Sequence, residues 1–389
     1  MSARLWGLAF LCAFGGCVEP LPPRGQILLY VDTDAPVPAP RGAPFDPGRL
    51  SPLVDRARFE VLVDGEVLPG SSRDFALDED LLRAQRLSFG VLPAPGDGAV
   101  AVRVRLFRAD RAQTGEPPAG VALDTVVSLP PVASEGVTEV SIVLRADDFG
   151  QRIGPVPATP GRPPASVVAT WRGGRHVACA GPARDGEACV PGGAFFLGDH
   201  GFRGRTLAND IVEERLVWVS PFFLDRTEVT VGAFRARWAE LAAAGATEPL
   251  ARGQDAGGSS NYCTWGGAAG AEDPRLALSC VPWETARAYC RLLGADLPTE
   301  AQLEYVASAL GEELAFPWGN DEPACSAAVW GRGGTGAYAQ DAKDCRVAGV
   351  ADGVAFPGAG ARDRLDPSRE GGPEIVDLGG NLSEWALDM

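Results

Sequence analysis

Residues 280–307 read CVPWETARAYCRLLGADLPTEAQLEYVA and carry the clearest secondary-structure signals of the chain. The first half predicts a helix that begins near Trp283 and that Gly294 ends at its C′ position. In the second half, Thr299 and Gln302 form a capping box, which predicts the start of another helix. The stretch therefore predicts two short helices in succession.

The sequence on either side predicts further short elements. VPGGAFFLG (190–198) is typical of a turn that leads into a strand, and LVWVSPFFL (216–224) of two short strands. Thr230 is a suitable N-cap for a helix that extends to Glu240. The last helix of the quoted stretch is expected to end at Gly311, beyond which the chain is rich in loops.

Residues 25–148 show a different pattern, in which apolar residues alternate along short runs. In the run RFEVLV, Phe59, Val61 and Val63 fall on one face, and residues 100–106 alternate in the same way. Such patterning, with turn residues between the runs, predicts a small antiparallel β-sandwich. No catalytic pattern is visible here, so a structural, spacing or docking role is the default.

Two smaller features accompany this domain. Asp32 and Asp34 are typical of a solvated strand end, although a pair of carboxylates could also bind a cation. Residues 149–178 are rich in proline and predict an extended, exposed linker.

The first 17 residues predict export. Arg4 precedes an apolar run over residues 5–14, which is too short to span a bilayer. Two glycines then precede Cys17, so that residues 1–17 resemble a lipoprotein signal peptide whose cysteine is lipidated. An ordinary secretory signal cleaved nearby is the alternative. The expected location is membrane-anchored, in the periplasm or at the cell surface.

Charge and cysteine content agree with that location. The net charge of −16 argues against a nucleic-acid partner, because a surface without basic patches cannot displace phosphate counterions. Seven cysteines follow Cys17, none with the CxxC spacing of a zinc site. In an oxidising compartment their spacing favours three local disulfides, namely Cys179–Cys189, Cys263–Cys280 and Cys325–Cys345. Cys290 is left without a partner.

Five segments together resemble one known family. They are VPGGAFFLGD (190–199), SPFFLDRTEVTVGAF (220–234), the stretch at 280–307, FPWGN (316–320) and DLGGNLSEWALD (377–388). Their order and spacing are similar to those of the formylglycine-generating enzyme, or sulfatase-modifying factor, family over about residues 188–389. The resemblance implies a loop-rich, C-type-lectin-like fold. The chain is thus predicted to be α+β, with an all-β sandwich at 25–148, a linker at 149–178 and a formylglycine-generating-enzyme-like domain at 179–389.

The resemblance also implies a chemistry that the chain carries only in part. The family oxidises a cysteine of a target sulfatase to formylglycine, with two cysteines that bind copper in a segment after the GNxxEWxxD motif. This sequence ends at Met389, so the domain is expected to be incomplete at its C-terminus and no catalytic residue carries over. Copper is expected only if a further C-terminal segment exists. The family's closing strand holds a cysteine that resembles the partner of Cys290.

One ion site does carry over from the family. Calcium is expected to be held by side-chain oxygens of Asp377 and Glu384 and by the backbone carbonyls of Gly380 and Leu382. Calcium prefers such mixtures of carboxylates and carbonyls. The alternative is that Asp377 and Glu384 only cap turns. His176 and His200, the only histidines, fit no metal or hydrolase motif.

Three functions remain open from the sequence. The protein is an exported lipoprotein whose domain is non-catalytic and binds a protein or glycan at the cell surface, or is structural. Alternatively, it is a fragment of a copper-dependent oxidase. In the third interpretation it is a degraded remnant without a stable function. The sequence as given favours the first.

Overall fold

The computed structural model describes residues 25–388 except 93–98, 113–114, 199–213, 255–261, 322–323, 325 and 331–353. The predicted signal peptide with Cys17, the predicted pair Cys325–Cys345 and His200 lie outside the described residues. Within the described part of the chain, no helix is long and apolar enough to cross a membrane.

Residues 26–160 form two β-sheets with one short helix between strands. The elements are β1 (Gln26–Thr33), β2 (Arg56–Val63), β3 (Glu66–Val67), β4 (Arg73–Ala76), α1 (Glu79–Arg83), β5 (Ser88–Val91), β6 (Val100–Phe107), β7 (Leu123–Ser128), β8 (Val137–Leu144), β9 (Arg152–Pro157) and β10 (Thr159–Pro160). One sheet has the order β10–β8–β1–β5, and the other β3–β2–β6–β7–β9, with β4 also paired to β2.

A single hydrophobic core joins side chains of both sheets. Ile27 of β1 and Phe59 of β2 are fully buried in it, and the predicted alternation in β6 buries Val102 and Val104. In β2 the prediction is only partly right, because Val61 and Val63 are half-buried while Leu62 on the opposite face is buried. The second half of β2 therefore buries both faces more evenly than its sequence pattern predicts.

Two strand pairs correct the antiparallel prediction. β1 pairs with β8 in parallel, and β7 pairs with β9 in parallel. Parallel neighbours need a crossover connection, and here the chain passes from one sheet to the other between β7, β8 and β9. Alternation along a strand reports which face is buried but not the direction of its neighbour.

The segment predicted as a linker lies against these sheets. It is largely exposed, as expected, but it contains β9 and β10, which pair with β7 and β8. Asp32 accepts hydrogen bonds from the Ser166 hydroxyl at 2.9 Å and from the Val167 amide at 2.7 Å, and the Asp34 carboxylate accepts one from the Ala146 amide at 2.7 Å. Both aspartates are buried and hydrogen-bonded, which favours a structural role over cation binding.

The rest of the chain is a mixed α and β domain with short elements. They are β11 (Glu187–Val190), β12 (Gly193–Leu197), β13 (Arg215–Val219), β14 (Phe222–Asp225), α2 (Val231–Ala243), α3 (Trp283–Leu292), α4 (Glu300–Ala307), β15 (Arg364–Leu365) and β16 (Ile375–Val376). The strands form three two-stranded pairs, β11–β14, β12–β13 and β15–β16. The predicted disulfides Cys179–Cys189 and Cys263–Cys280 are both present.

The capping signals agree with the structure, although α2 continues to Ala243, three residues beyond the predicted Glu240. The Thr230 hydroxyl caps α2, Gly294 follows α3 with a φ of +76°, and Thr299 and Gln302 form the predicted capping box of α4. However, α4 ends at Ala307 and does not reach Gly311. The chain turns there because Ala309 and Leu310 adopt a left-handed φ, which carries the Leu310 side chain into the core.

Arg111, which follows β6, connects the N-terminal sheets to this domain. Its side chain is 1% exposed and forms ion pairs with Glu214, at 2.8 Å, and with Glu313. The guanidinium also lies over the ring of Phe196 in β12, 5.9 Å from its centroid. Leu53 and Val121 pack against the same phenylalanine. The two parts of the chain therefore share a buried contact that contains both charge and apolar surface.

Candidate metal centre

The turn after β16 contains all four residues of the predicted calcium site. Asp377 begins it in a left-handed conformation, with a φ of +60°, and is 1% exposed. Its Oδ2 accepts a hydrogen bond from the Gly358 amide. Its Oδ1 is buried without an amide, hydroxyl or guanidinium donor, and the Glu228 carboxyl group lies within hydrogen-bond distance of the Asp377 carboxyl group. Two buried carboxyl groups this close repel each other when both are charged, so Oδ1 has the electrostatic character of a cation ligand.

Gly380 and Leu382, the two predicted carbonyl ligands, flank Asn381 in this turn. Asn381 has a φ of +62°, and the Leu382 amide donates to the Gly380 carbonyl at 2.8 Å. A Cβ atom on Gly380 would lie 2.8 Å from the carbonyl oxygen of Val329. Glycine is therefore required here, because the segment around Val329 approaches the backbone of residue 380 closely.

Glu384, the second predicted carboxylate, lies in the wall of a cavity beside the turn. Burial raises the pKa of Glu384 to about 7, and the charges of Asp363 and Asp377 act in the same direction. Glu384 also keeps an exposed surface, so its carboxylate lies at the boundary between the cavity and solvent. A raised pKa means that protein groups alone do not stabilise the carboxylate's charge.

Two further acids, which the sequence analysis did not assign, lie close to Asp377. Asp363 is fully buried and accepts from the Gly379 amide at 3.0 Å, and burial raises its pKa to about 6. Burial and the charge of Asp377 raise the pKa of Glu228, whose Oε2 is also buried without a donor. Glu228 belongs to the quoted TEVT motif before α2, which was its only signal in the sequence. Asp363 had none.

The side chains alone do not form a metal site. Within the described ranges, no three His, Cys, Asp or Glu side chains are arranged to hold a metal ion by themselves. A cation at this turn would therefore need backbone carbonyls in addition to Asp377 and Glu384. That requirement matches the predicted ligand set, and the buried Oδ1 of Asp377 fits it as well.

The adjacent cavity has a volume of about 410 Å³ and mostly apolar walls. Leu297, Leu303 and Trp385 line it, together with Cys290 of α3. Cys290 is the free cysteine of the described residues, and burial raises the pKa of its thiol to about 11. A thiol with so high a pKa is a poor nucleophile and a poor metal ligand at neutral pH.

His176 is in a different part of the domain, away from the turn's ligands. Its Nδ1 is 3.0 Å from the hydroxyl of Tyr305 in α4, and burial lowers its pKa to about 4. His176 is therefore a half-buried, neutral side chain that is hydrogen-bonded to a tyrosine.

Comparison with known proteins identifies the C-terminal domain. The profile of a family described as "Sulfatase-modifying factor enzyme 1-like domain" matches residues 179–389. This range covers slightly more than half of the chain and includes every residue of the candidate metal centre. A search of curated proteins finds no match.

Proposed function

Since this chain belongs to the sulfatase-modifying factor family through residues 179–389, we propose that it is an exported lipoprotein that has kept the family domain without its oxidase chemistry. In this proposal the domain has a C-type-lectin-like fold and binds a protein or glycan at the cell surface, or is structural. The N-terminal sheets form a β-sandwich that supports it. A lipid on Cys17 anchors the chain to the membrane.

The state of the cysteines is the observation that carries the non-catalytic proposal. Of the five cysteines in the described ranges, four are joined in Cys179–Cys189 and Cys263–Cys280. The fifth, Cys290, is buried with a raised thiol pKa. Copper binding and thiol oxidation both need accessible thiolates, and none of these five side chains supplies one. The disulfides also support an oxidising, extracytoplasmic location.

Calcium at the turn of residues 377–384 is the second part of the proposal. Asp377 and Glu384 would supply carboxylate oxygens, and Gly380 and Leu382 backbone carbonyls. The cation would compensate the buried Oδ1 of Asp377 and hold the turn against the wall of the cavity. Its proposed role is structural, to hold the turn in place.

The alternative is a copper-dependent oxidase of which this sequence is a fragment, and the cavity favours it. An apolar cavity next to a free cysteine has the character of a place where a further cysteine-bearing segment could pack. In that case Cys290 would form a disulfide with the added segment, as the family resemblance implies.

An oxidation assay separates the two functions. The protein, isolated from its native membranes, is incubated with copper, oxygen and a cysteine peptide from a sulfatase, and aldehyde is detected with a hydrazide probe. We expect no aldehyde above the level of a copper-only control. Aldehyde formation that requires the protein would refute the non-catalytic proposal and support the oxidase.

A further inference from the structure

Glu228 links the start of α2 to the candidate metal centre. It lies between β14 and α2, and the backbone around it is fixed. The Leu278 amide donates to the Val229 carbonyl at 2.8 Å, and the Val231 amide donates to the Leu276 carbonyl at 2.8 Å. The carboxylate of Glu228 is therefore presented from a rigid part of the domain.

The carboxyl group of Glu228 contacts Asn381, which lies 153 residues later in the sequence, in the middle of the turn. Glu228 Oε1 accepts a hydrogen bond of 2.7 Å from the Asn381 side-chain amide. The contact is half-buried, so water competes with it less than it would at the surface.

Asn381 in turn has its other groups bound to two further segments. Its Oδ1 accepts from the Ala355 amide at 2.8 Å, and its backbone amide donates to the Val329 carbonyl at 2.8 Å. Its left-handed backbone conformation places it between the carbonyls of Gly380 and Leu382. Because Asn381 lies between them, a change in its backbone conformation would alter the orientation of these two carbonyls relative to each other.

We propose that Glu228 is a positioning residue of the cation site, which fixes Asn381 and thereby aims the Gly380 and Leu382 carbonyls. This inference rests on the calcium proposal made for this turn. Glu228 is not itself a ligand in it. Outer residues that orient ligands typically change metal affinity by about 10- to 100-fold when they are removed.

Terbium luminescence tests the inference on the whole protein, since Trp385 follows Glu384 directly and can sensitise a bound Tb³⁺ ion. Terbium alone is titrated into the wild type, Glu228→Ala, Glu228→Gln and Asp377→Ala, with Glu240→Ala as a control on an exposed helix surface. Glu228→Ala is expected to bind about 10- to 100-fold more weakly than the wild type. Glu228→Gln keeps an oxygen acceptor for Asn381 and should bind close to the wild type. Circular dichroism establishes that each variant is folded.

The outcomes separate this inference from the calcium proposal. If the wild type binds no Tb³⁺, or Asp377→Ala binds it as tightly as the wild type, the cation site itself is wrong and so is the role of Glu228. If the site exists but Glu228→Ala binds normally, only the positioning role is overturned. If Glu228→Gln is as weak as Glu228→Ala, the charge acts on the ion directly, and the positioning role is overturned as well.

Discussion

Replacing Arg111 with methionine is expected to lower the free energy of unfolding by about 3–5 kcal/mol, the usual cost of removing one partner from a buried ion pair. Glu214 and Glu313 both pair with this guanidinium in a contact from which water is nearly excluded. Methionine keeps much of the apolar volume against Phe196 but removes the buried cation that both carboxylates share, although Glu313 retains its ion pair with Arg108 at 3.0 Å. The loss is therefore electrostatic in origin.

Urea unfolding followed by tryptophan fluorescence measures this effect. The matched control is Arg237→Met, because Arg237 forms an exposed ion pair with Glu240 at 3.1 Å on the surface of α2. Exposed pairs of this kind contribute only about 0–1 kcal/mol. If Arg111→Met destabilised the protein no more than Arg237→Met, the contact between the N-terminal sheets and the C-terminal domain would not be the buried one described above.

Calcium at about 100 times its dissociation constant is expected to raise the free energy of unfolding by about 2.7 kcal/mol, because it binds the folded state alone. The cation would bind at the turn of residues 377–384, where it would contact the buried Oδ1 of Asp377, which accepts no hydrogen bond from an amide or hydroxyl. Asp377→Ala should abolish the gain. The exposed loop variant Asp185→Ala should retain it, and a gain that survived in Asp377→Ala would place the cation elsewhere.

The gain should also depend on pH, in a direction that the pKa shifts determine. The pKa of Glu384 is raised from 4.5 to about 7, so between these values the folded, metal-free protein binds more protons than the unfolded chain. The contribution of protonated Glu384 to the stability of the metal-free protein is thus fully present below about pH 4.5 and is lost as the pH rises through about 7. Calcium replaces the proton, so the difference between calcium-loaded and EDTA-treated protein should grow across this interval. A difference that shrank with rising pH would contradict the site.

Local features of the fold could be predicted because the sequence signals are local. Thr230, Thr299 and Gly294 act within one helical turn of themselves, and the two confirmed disulfides close short loops. The end of α4 could not be predicted, because Gly311 gives the same signal wherever the turn begins. A Cβ on Gly311 would lie 2.4 Å from the Cβ of Phe195, so this glycine is needed for packing as well as for chain reversal.

Long-range contacts were beyond the sequence. Asp377 and Glu384 belong to one motif and could be assigned together. Glu228 reaches the same turn only through the fold, and the partners of Arg111 are likewise about one to two hundred residues away along the chain. The parallel pairing of β1 with β8 could not be predicted for the same reason, because alternation along a strand does not show which strand pairs with it.

The intact mass of the protein purified from its own membranes tests the central claim most directly. An exported lipoprotein should give the mass of a chain that begins at Cys17, with added lipid. When Cys17 is replaced by serine, the protein should no longer be found in the membrane fraction. A chain without lipid, or one that begins elsewhere and is not membrane-bound, would contradict the anchor. A heavier chain with a cysteine pair beyond Met389 would contradict the non-catalytic function and favour the oxidase.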